Sequence, residues 1–177
     1  MGRWSRTPYP DRVATPIPLR TEPWWRPRPP VATSAGVLTE LDPADLVALR
    51  RTVLRDGRDD LVATHRFDAE PTSLHLGVVA ADGSAVGGVT VVIDPLPGFA
   101  TLRLVLMAVD PAVQGSGVGR SLVEAIQDRA AEAGLDVWAA ARVSAVDFYL
   151  RLGFLPRGDV FVGPMDLAHR RVLWRSR

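Results

Sequence analysis

The chain contains no cysteine, which excludes disulfides, thiolate metal sites and a cysteine acyl-enzyme. No stretch approaches the ~20 uninterrupted apolar residues of a membrane-spanning helix. The N-terminus has no apolar signal core, so the expected compartment is the cytoplasm and no membrane partner is expected. Net charge is only +1, so no global field favours nucleic acid as a partner. No internal repeat is apparent. What remains is a 177-residue chain with 47% hydrophobic and 23% charged residues, a globular composition long enough for one domain with a real core.

Residues 1–32 differ from the rest. They hold prolines 8, 10, 16, 18, 23, 27, 29 and 30, and arginines 3, 6, 12, 20, 26 and 28 against Asp11 and Glu22. Such proline density forbids regular helix and central strand, so an extended or partly disordered arm is expected. Trp4, Trp24 and Trp25 are out of place in a free tail, which predicts that part of the arm lies on the domain or on a partner. Its local positive charge leaves a nucleic-acid or partner anchor as a separate reading of the arm.

The domain, 33–177, opens with a short strand at 37–41. Asp42-Pro43 then starts a helix as N-cap and first residue, with Leu46, Leu49, Val53 and Leu54 on one face. Residues 55–70 are polar and aperiodic, a loop or short helix. Strands at 74–80 and 85–93 flank Asp82-Gly83, a strong hairpin signal. Residues 94–98 form the next turn, and a third strand runs from 99 or 101 to 109. A helix over 118–133 ends at Gly134. A strand at 135–140 follows, then a helix from Ser144 with Asp147 in a capping-box arrangement, and closing strands near 154–162 and 169–174.

The organising stretch is Val109 to Arg120, V-D-P-A-V-Q-G-S-G-V-G-R. Apolar strand gives way at Asp110-Pro111, glycines alternate, and a helical period begins at Val118. Glycines let the loop fold with its N–H groups pointing one way, and the helix N-terminus adds partial positive charge, which makes a place for phosphate. A P-loop needs glycine at 114 and lysine at 120; the chain has Gln114 and Arg120, with only Ser121 fitting. A Rossmann fingerprint would put its third glycine at Arg120 and needs further βαβ units for which too little chain remains. Gln114, Gly117 and Gly119 fit a third pattern, Q-x-x-G-x-G after a strand. An ordinary glycine-rich βα turn is the bland alternative.

That third pattern resembles the pyrophosphate loop of the GNAT family of N-acetyltransferases. Ala145, Phe148, Tyr149, Leu152, Gly153 and Phe154 spell A-x-x-F-Y-x-x-L-G-F, which resembles the helix-to-strand segment that follows in the same family. Both motifs come in the family's order. The likeness covers 76–154 closely and 37–174 loosely, and the arm lies outside it. It implies an α/β fold with a central, mostly antiparallel mixed sheet, splayed strands and about four helices. It implies acetyl-coenzyme A as co-substrate and no metal. Met107, Ala108 and Val109 would pair with the pantetheine arm, and Gln114, Gly115, Ser116, Gly117, Val118, Gly119 and Arg120 would hold the pyrophosphate. Arg142 stands where the family often has asparagine, facing a coenzyme phosphate or a substrate carboxylate.

The implied reaction moves acetyl to a primary amine by direct attack in a ternary complex. Val109 N–H would polarise the thioester carbonyl, and Tyr149 would act as general acid for the departing thiolate. The acceptor is a small-molecule or peptide amine, and a homodimer is compatible with the family. The alternative is a non-catalytic acyl-coenzyme A sensor of the same fold. Residues 102–109 offer no acid as general base; His75, Asp94 or an ordered water are the candidates. His169 stands where some family members carry a Pro-His pair, but the proline is absent, which favours a structural histidine.

Overall fold

Eight strands form one sheet: β1 (Val31–Thr33), β2 (Gly36–Glu40), β3 (Leu74–Val79), β4 (Ala85–Leu96), β5 (Ala100–Val109), β6 (Val137–Arg142), β7 (Leu155–Val162) and β8 (Ala168–Trp174). The computed structural model describes residues 22–96 and 100–176. Strand order is β1-β2-β3-β4-β5-β6-β8-β7. Every neighbouring pair is antiparallel except β5 and β6. Those two are joined by a helical crossover, as parallel neighbours must be. The described residues form three α-helices, α1 (Val47–Leu54), α2 (Val118–Glu132) and α3 (Val146–Leu150). Residues 55–70 make turns and no helix, consistent with their aperiodic, polar sequence.

Two adjacent glycines in β4 decide how the layers assemble. A β-carbon on Gly87 would lie 2.3 Å from Val118 on α2, and one on Gly88 would lie 2.5 Å from Leu46, just before α1. Successive strand residues point to opposite faces, so α1 and α2 cover opposite sides of the sheet. Both press close enough to need a missing side chain. Because both faces are covered, β3 and the middle of β4 are buried without alternation. The α2 stripe of Val118, Leu122, Val123, Ile126 and Ala130 packs on Leu76, Val78, Val89 and Val91 to form the core.

Local signals held where neighbours alone decide them. Asp42 and Asp45 form a reciprocal capping box ahead of α1. Gly83 takes a left-handed φ of 86° in the hairpin. Gly134 N–H bonds to Ala131 O and Leu135 N–H to Ala130 O, a closed helix end with Gly134 at φ 66°. That closure consumes Leu135, which moves the start of β6 to Val137. β4 continues through Asp94-Pro95 to Leu96, and the remainder of the expected turn, with Phe99, lies outside the described residues. The Ser144 cap does not form. The chain already turns helically at Val143, after Arg142 in extended geometry. Ser144 therefore sits inside the turn, and among the described residues no side chain caps α3.

From Trp24 to Arg28 the chain lies against the domain. Trp24 is 4% exposed, packed in the core cluster and edge-on to Trp25. Trp25 Nε1 donates to Glu40 at 3.3 Å, and Arg28 pairs with Glu132 and Asp128 of α2. Burial of the indole is the term that outweighs the entropy of ordering this proline-rich segment. Trp4 and the rest of residues 1–21 lie outside the described residues.

Candidate active site

Strand β5 carries one residue too many. Gly88 faces Ala108 and Thr90 faces Val105, so Val89 alone opposes Leu106 and Met107. Leu106 has a φ of 50°, left-handed without being glycine. This is a β-bulge, and it bends the strand. Pairing with β6 covers only Leu102–Leu104 against Val137–Ala139. From Val105 onward the two strands part, and the β6-facing backbone of β5 has no strand partner among the described residues. A cleft of about 500 Å³ opens there, lined by Met107, Val109, Gln114, Arg142, Tyr149 and His169 among others.

Val109 shows which way that backbone points. Asp110 N–H donates to Val86 O at 2.9 Å, which makes Gly87 and Val109 a pair that exchanges no bonds with each other. Val109 N–H and C=O therefore turn away from β4 and toward the opening. Its carbonyl takes the Gln114 side-chain amide at 3.1 Å, and its N–H faces the cleft.

The glycine loop follows at once. Asp110 caps a tight turn by accepting from Ala112 N–H at 2.8 Å. Gly115 and Gly117 have φ of 82° and 95°, conformations that a side chain would strain, and no atom lies near where their β-carbons would be. Among the described residues no side chain caps α2. Ser121 N–H, bonded to Gly117 O, is the first to close within the helix, which leaves the donors before it open. Ser34 Oγ, in the β1–β2 turn, holds Ser116 O at 2.7 Å. Gly119 lies under Met107 and Phe148, within 3.5 Å of a built β-carbon. Arg120 is exposed and leans on Glu124. Val118 is buried in the core and contributes backbone only.

Tyr149 is buried on α3, edge-on to Phe148 and Phe154, with its hydroxyl 3.4 Å from Met107 Sδ. Burial pushes its pKa above the ordinary tyrosine value, so the phenol keeps its proton throughout the neutral range. Gln114, at the start of the loop, thus lines one cleft with the opened edge of β5 and Tyr149, while residues 115–120 lie beyond its lining.

His75 and Asp94 are elsewhere. His75 Nδ1 meets Thr90 Oγ1 at 2.8 Å and Nε2 meets Asp68 O at 3.2 Å. A carbonyl only accepts, so Nε2 carries the hydrogen and the threonine hydroxyl donates to Nδ1. Both ring nitrogens are occupied, under α1, where Arg50 also holds Asp68 and Thr90. Burial lowers the His75 pKa, outweighing the nearby Asp68 carboxylate that pulls it up. Asp94 pairs with Arg103 at 2.8 Å, and its carbonyl takes the Trp138 indole N–H. Neither lines the cleft. Among the described residues no cluster of three or more His, Asp or Glu is arranged to hold a metal.

Three features carry little signal in the sequence. Leu106 has no glycine or asparagine to mark its bulge. Met165 and Asp166 are both left-handed, at φ 59° and 54°, in a turn beside the cleft. His169 faces the same cleft from β8.

A GNAT acetyltransferase family model matches residues 42–154, from the Asp42 cap to the end of the Tyr149 motif. This chain belongs to the GNAT acetyltransferase family. The mycothiol acetyltransferase of Frankia alni is 29% identical over 169 residues, which cover 88% of this chain and 46% of that protein. The chain therefore spans about half the length of this curated relative. An acyl-CoA N-acyltransferase from Pseudomonas aeruginosa superposes with a TM-score of 0.63 at 20% identity, covering 77% of this chain and 97% of the other. An aminoglycoside 6′-N-acetyltransferase complexed with coenzyme A gives 0.59 at 15% identity, over 78% and 96%. At such identities these structures show the GNAT fold, an open mixed sheet, and not the substrate.

Proposed function

We propose that this GNAT chain transfers acetyl from acetyl-coenzyme A to a primary amine by direct attack. One observation carries the reading: β5 bulges away from β6 beside an uncapped, glycine-led helix N-terminus, with a protonated tyrosine in the gap. The residues fit the coenzyme. Open N–H groups at Gly117 to Arg120 suit its pyrophosphate, Gly115 and Gly117 let that group approach the backbone, and the free edge of Met107 to Val109 suits an amide-bearing arm.

The coenzyme supplies the thioester; the chain supplies orientation and protons. Val109 N–H meets the negative charge that develops on the thioester oxygen. Tyr149 gives its proton to the departing sulfur. The same burial that weakens the phenol as an acid also raises the basicity of a sulfur leaving into that pocket, so the transfer stays matched. The chain has no cysteine to form a cysteinyl acyl-enzyme, which supports attack within a ternary complex.

Thermal unfolding with acetyl-coenzyme A, NAD and ATP tests this. A ligand bound only by the folded state adds ~2.7 kcal/mol at a hundredfold excess over Kd. Stabilisation by acetyl-coenzyme A alone is expected. No shift, or a shift with NAD or ATP instead, refutes the reading of the loop and of every residue placed around it.

A further inference from the structure

The charge of the cleft is one-sided. Arg55, Arg103, Arg142 and His169 line it, and none of its described lining residues is acidic. Two of the three guanidiniums are committed within the protein. Arg103 pairs with Asp94 and lies over the Trp138 ring, and Arg55 donates to the carbonyls of Val62 and Leu54. The Arg142 guanidinium, half-buried at the end of β6, has no hydrogen bond or ion pair with any described residue. A guanidinium drawn partly out of water without an acceptor loses solvation that nothing replaces. Its planar fork matches a carboxylate.

Arg142 is the register partner of His169 on β8. The two side chains therefore leave the sheet on one face, with β-carbons about 5 Å apart. His169 Nδ1 lies 2.7 Å from Leu167 O. The carbonyl can only accept, so the ring hydrogen sits on Nδ1 and Nε2 keeps a lone pair. No described group bonds to Nε2. His75 shows the contrast, with both of its nitrogens consumed.

We propose that the acceptor is an amine that also carries a carboxylate, with the carboxylate on Arg142 and the nitrogen at His169 Nε2. This rests on the acetyl-transfer reading. The amine arrives as an ammonium, and Nε2 takes one proton. The freed lone pair forms the C–N bond as the C–S bond breaks, and that proton passes to solvent. A second proton leaves the nitrogen and restores Tyr149, which has given its own to sulfur. No further reactant is needed. Polycationic amines are disfavoured, because their extra charges meet the Arg142 guanidinium and no acid among the described lining residues.

The test is thiol release from acetyl-coenzyme A with amino acids and dipeptides, each beside its carboxamide, and with spermidine. The best carboxylate acceptor should exceed its carboxamide by about tenfold or more in kcat/KM, the loss typical of one charge-assisted bond. Arg142→Gln should collapse that ratio toward one without raising the KM for acetyl-coenzyme A. His169→Gln should lower kcat rather than raise the acceptor KM. Equal rates for acid and carboxamide, a preference for spermidine, or no acid turned over by protein that binds acetyl-coenzyme A overturns the proposal. So does an Arg142→Gln variant that raises the acetyl-coenzyme A KM and keeps the ratio, since the guanidinium would then sit on a coenzyme phosphate. Stabilisation by acetyl-coenzyme A in the same samples separates the two readings. Its absence removes acetyl transfer itself, and its presence without acid preference removes only this acceptor.

Discussion

Replacing Tyr149 with phenylalanine separates catalysis from structure more cleanly than any other change in the cleft. The ring holds its place through edge contacts with Phe148 and Phe154 at 5.1 and 5.3 Å, and phenylalanine keeps both. Among the described residues the hydroxyl has one partner, the Met107 sulfur at 3.4 Å, and thioether sulfur is a weak acceptor. Its loss should change stability by no more than about 1 kcal/mol. Acetyl-coenzyme A affinity should also persist, because the proposed contacts come from the backbone of β5 and the glycine loop. The rate should not persist. Without a donor for the departing sulfur, kcat should fall by ~10²–10⁴. Thiol release, with thermal unfolding ± acetyl-coenzyme A as the control, reads all three quantities. A kcat within about threefold of wild type would refute Tyr149 as the general acid, and a protein that binds the coenzyme but never turns over would point to a sensor. A large drop in stability would refute the account of the hydroxyl's surroundings.

Two further changes test the scaffold. Trp24→Ala should destabilise the protein by about 3–5 kcal/mol, the cost of emptying a buried aromatic site, visible in urea unfolding; a loss under about 1 kcal/mol would mean that the arm only rests on the surface. His75, held neutral by burial with its pKa lowered, contributes stability that is present above the ordinary histidine value of about 6.5 and lost as pH falls through its lower folded value. The stability gap between wild type and His75→Gln should therefore narrow from pH 7 to pH 5, and a gap that stays constant or widens contradicts a neutral, fully bonded imidazole.

Much of this protein was written in short range. Asp42-Pro43, Asp82-Gly83, Gly117 and Gly134 act through their own dihedrals and through donors a few residues away, so their turns and helix ends were legible from the chain. The same holds for the strand, glycine loop and helix around Val109 to Arg120, and for the α2 stripe, whose period is a property of one helix. Ser144 marks the limit: its capping signal lost to a turn begun one residue earlier by the end of β6.

The site itself depended on partners distant in sequence. Leu106 is left-handed because β4 has one residue where β5 has two, and no propensity of leucine announces that. The roles of the histidines divided on the same ground. His75 and His169 are both strand residues and both buried, yet one lies between Thr90 and Asp68 under α1 while the other keeps a free nitrogen beside Arg142. Trp24 is core rather than tail because the sheet and α2 offer it a place. Backbone conformation is local, and the sequence by itself determined it; which polar atom is left without a partner depends on the packing of the whole chain, and only the tertiary structure decided that.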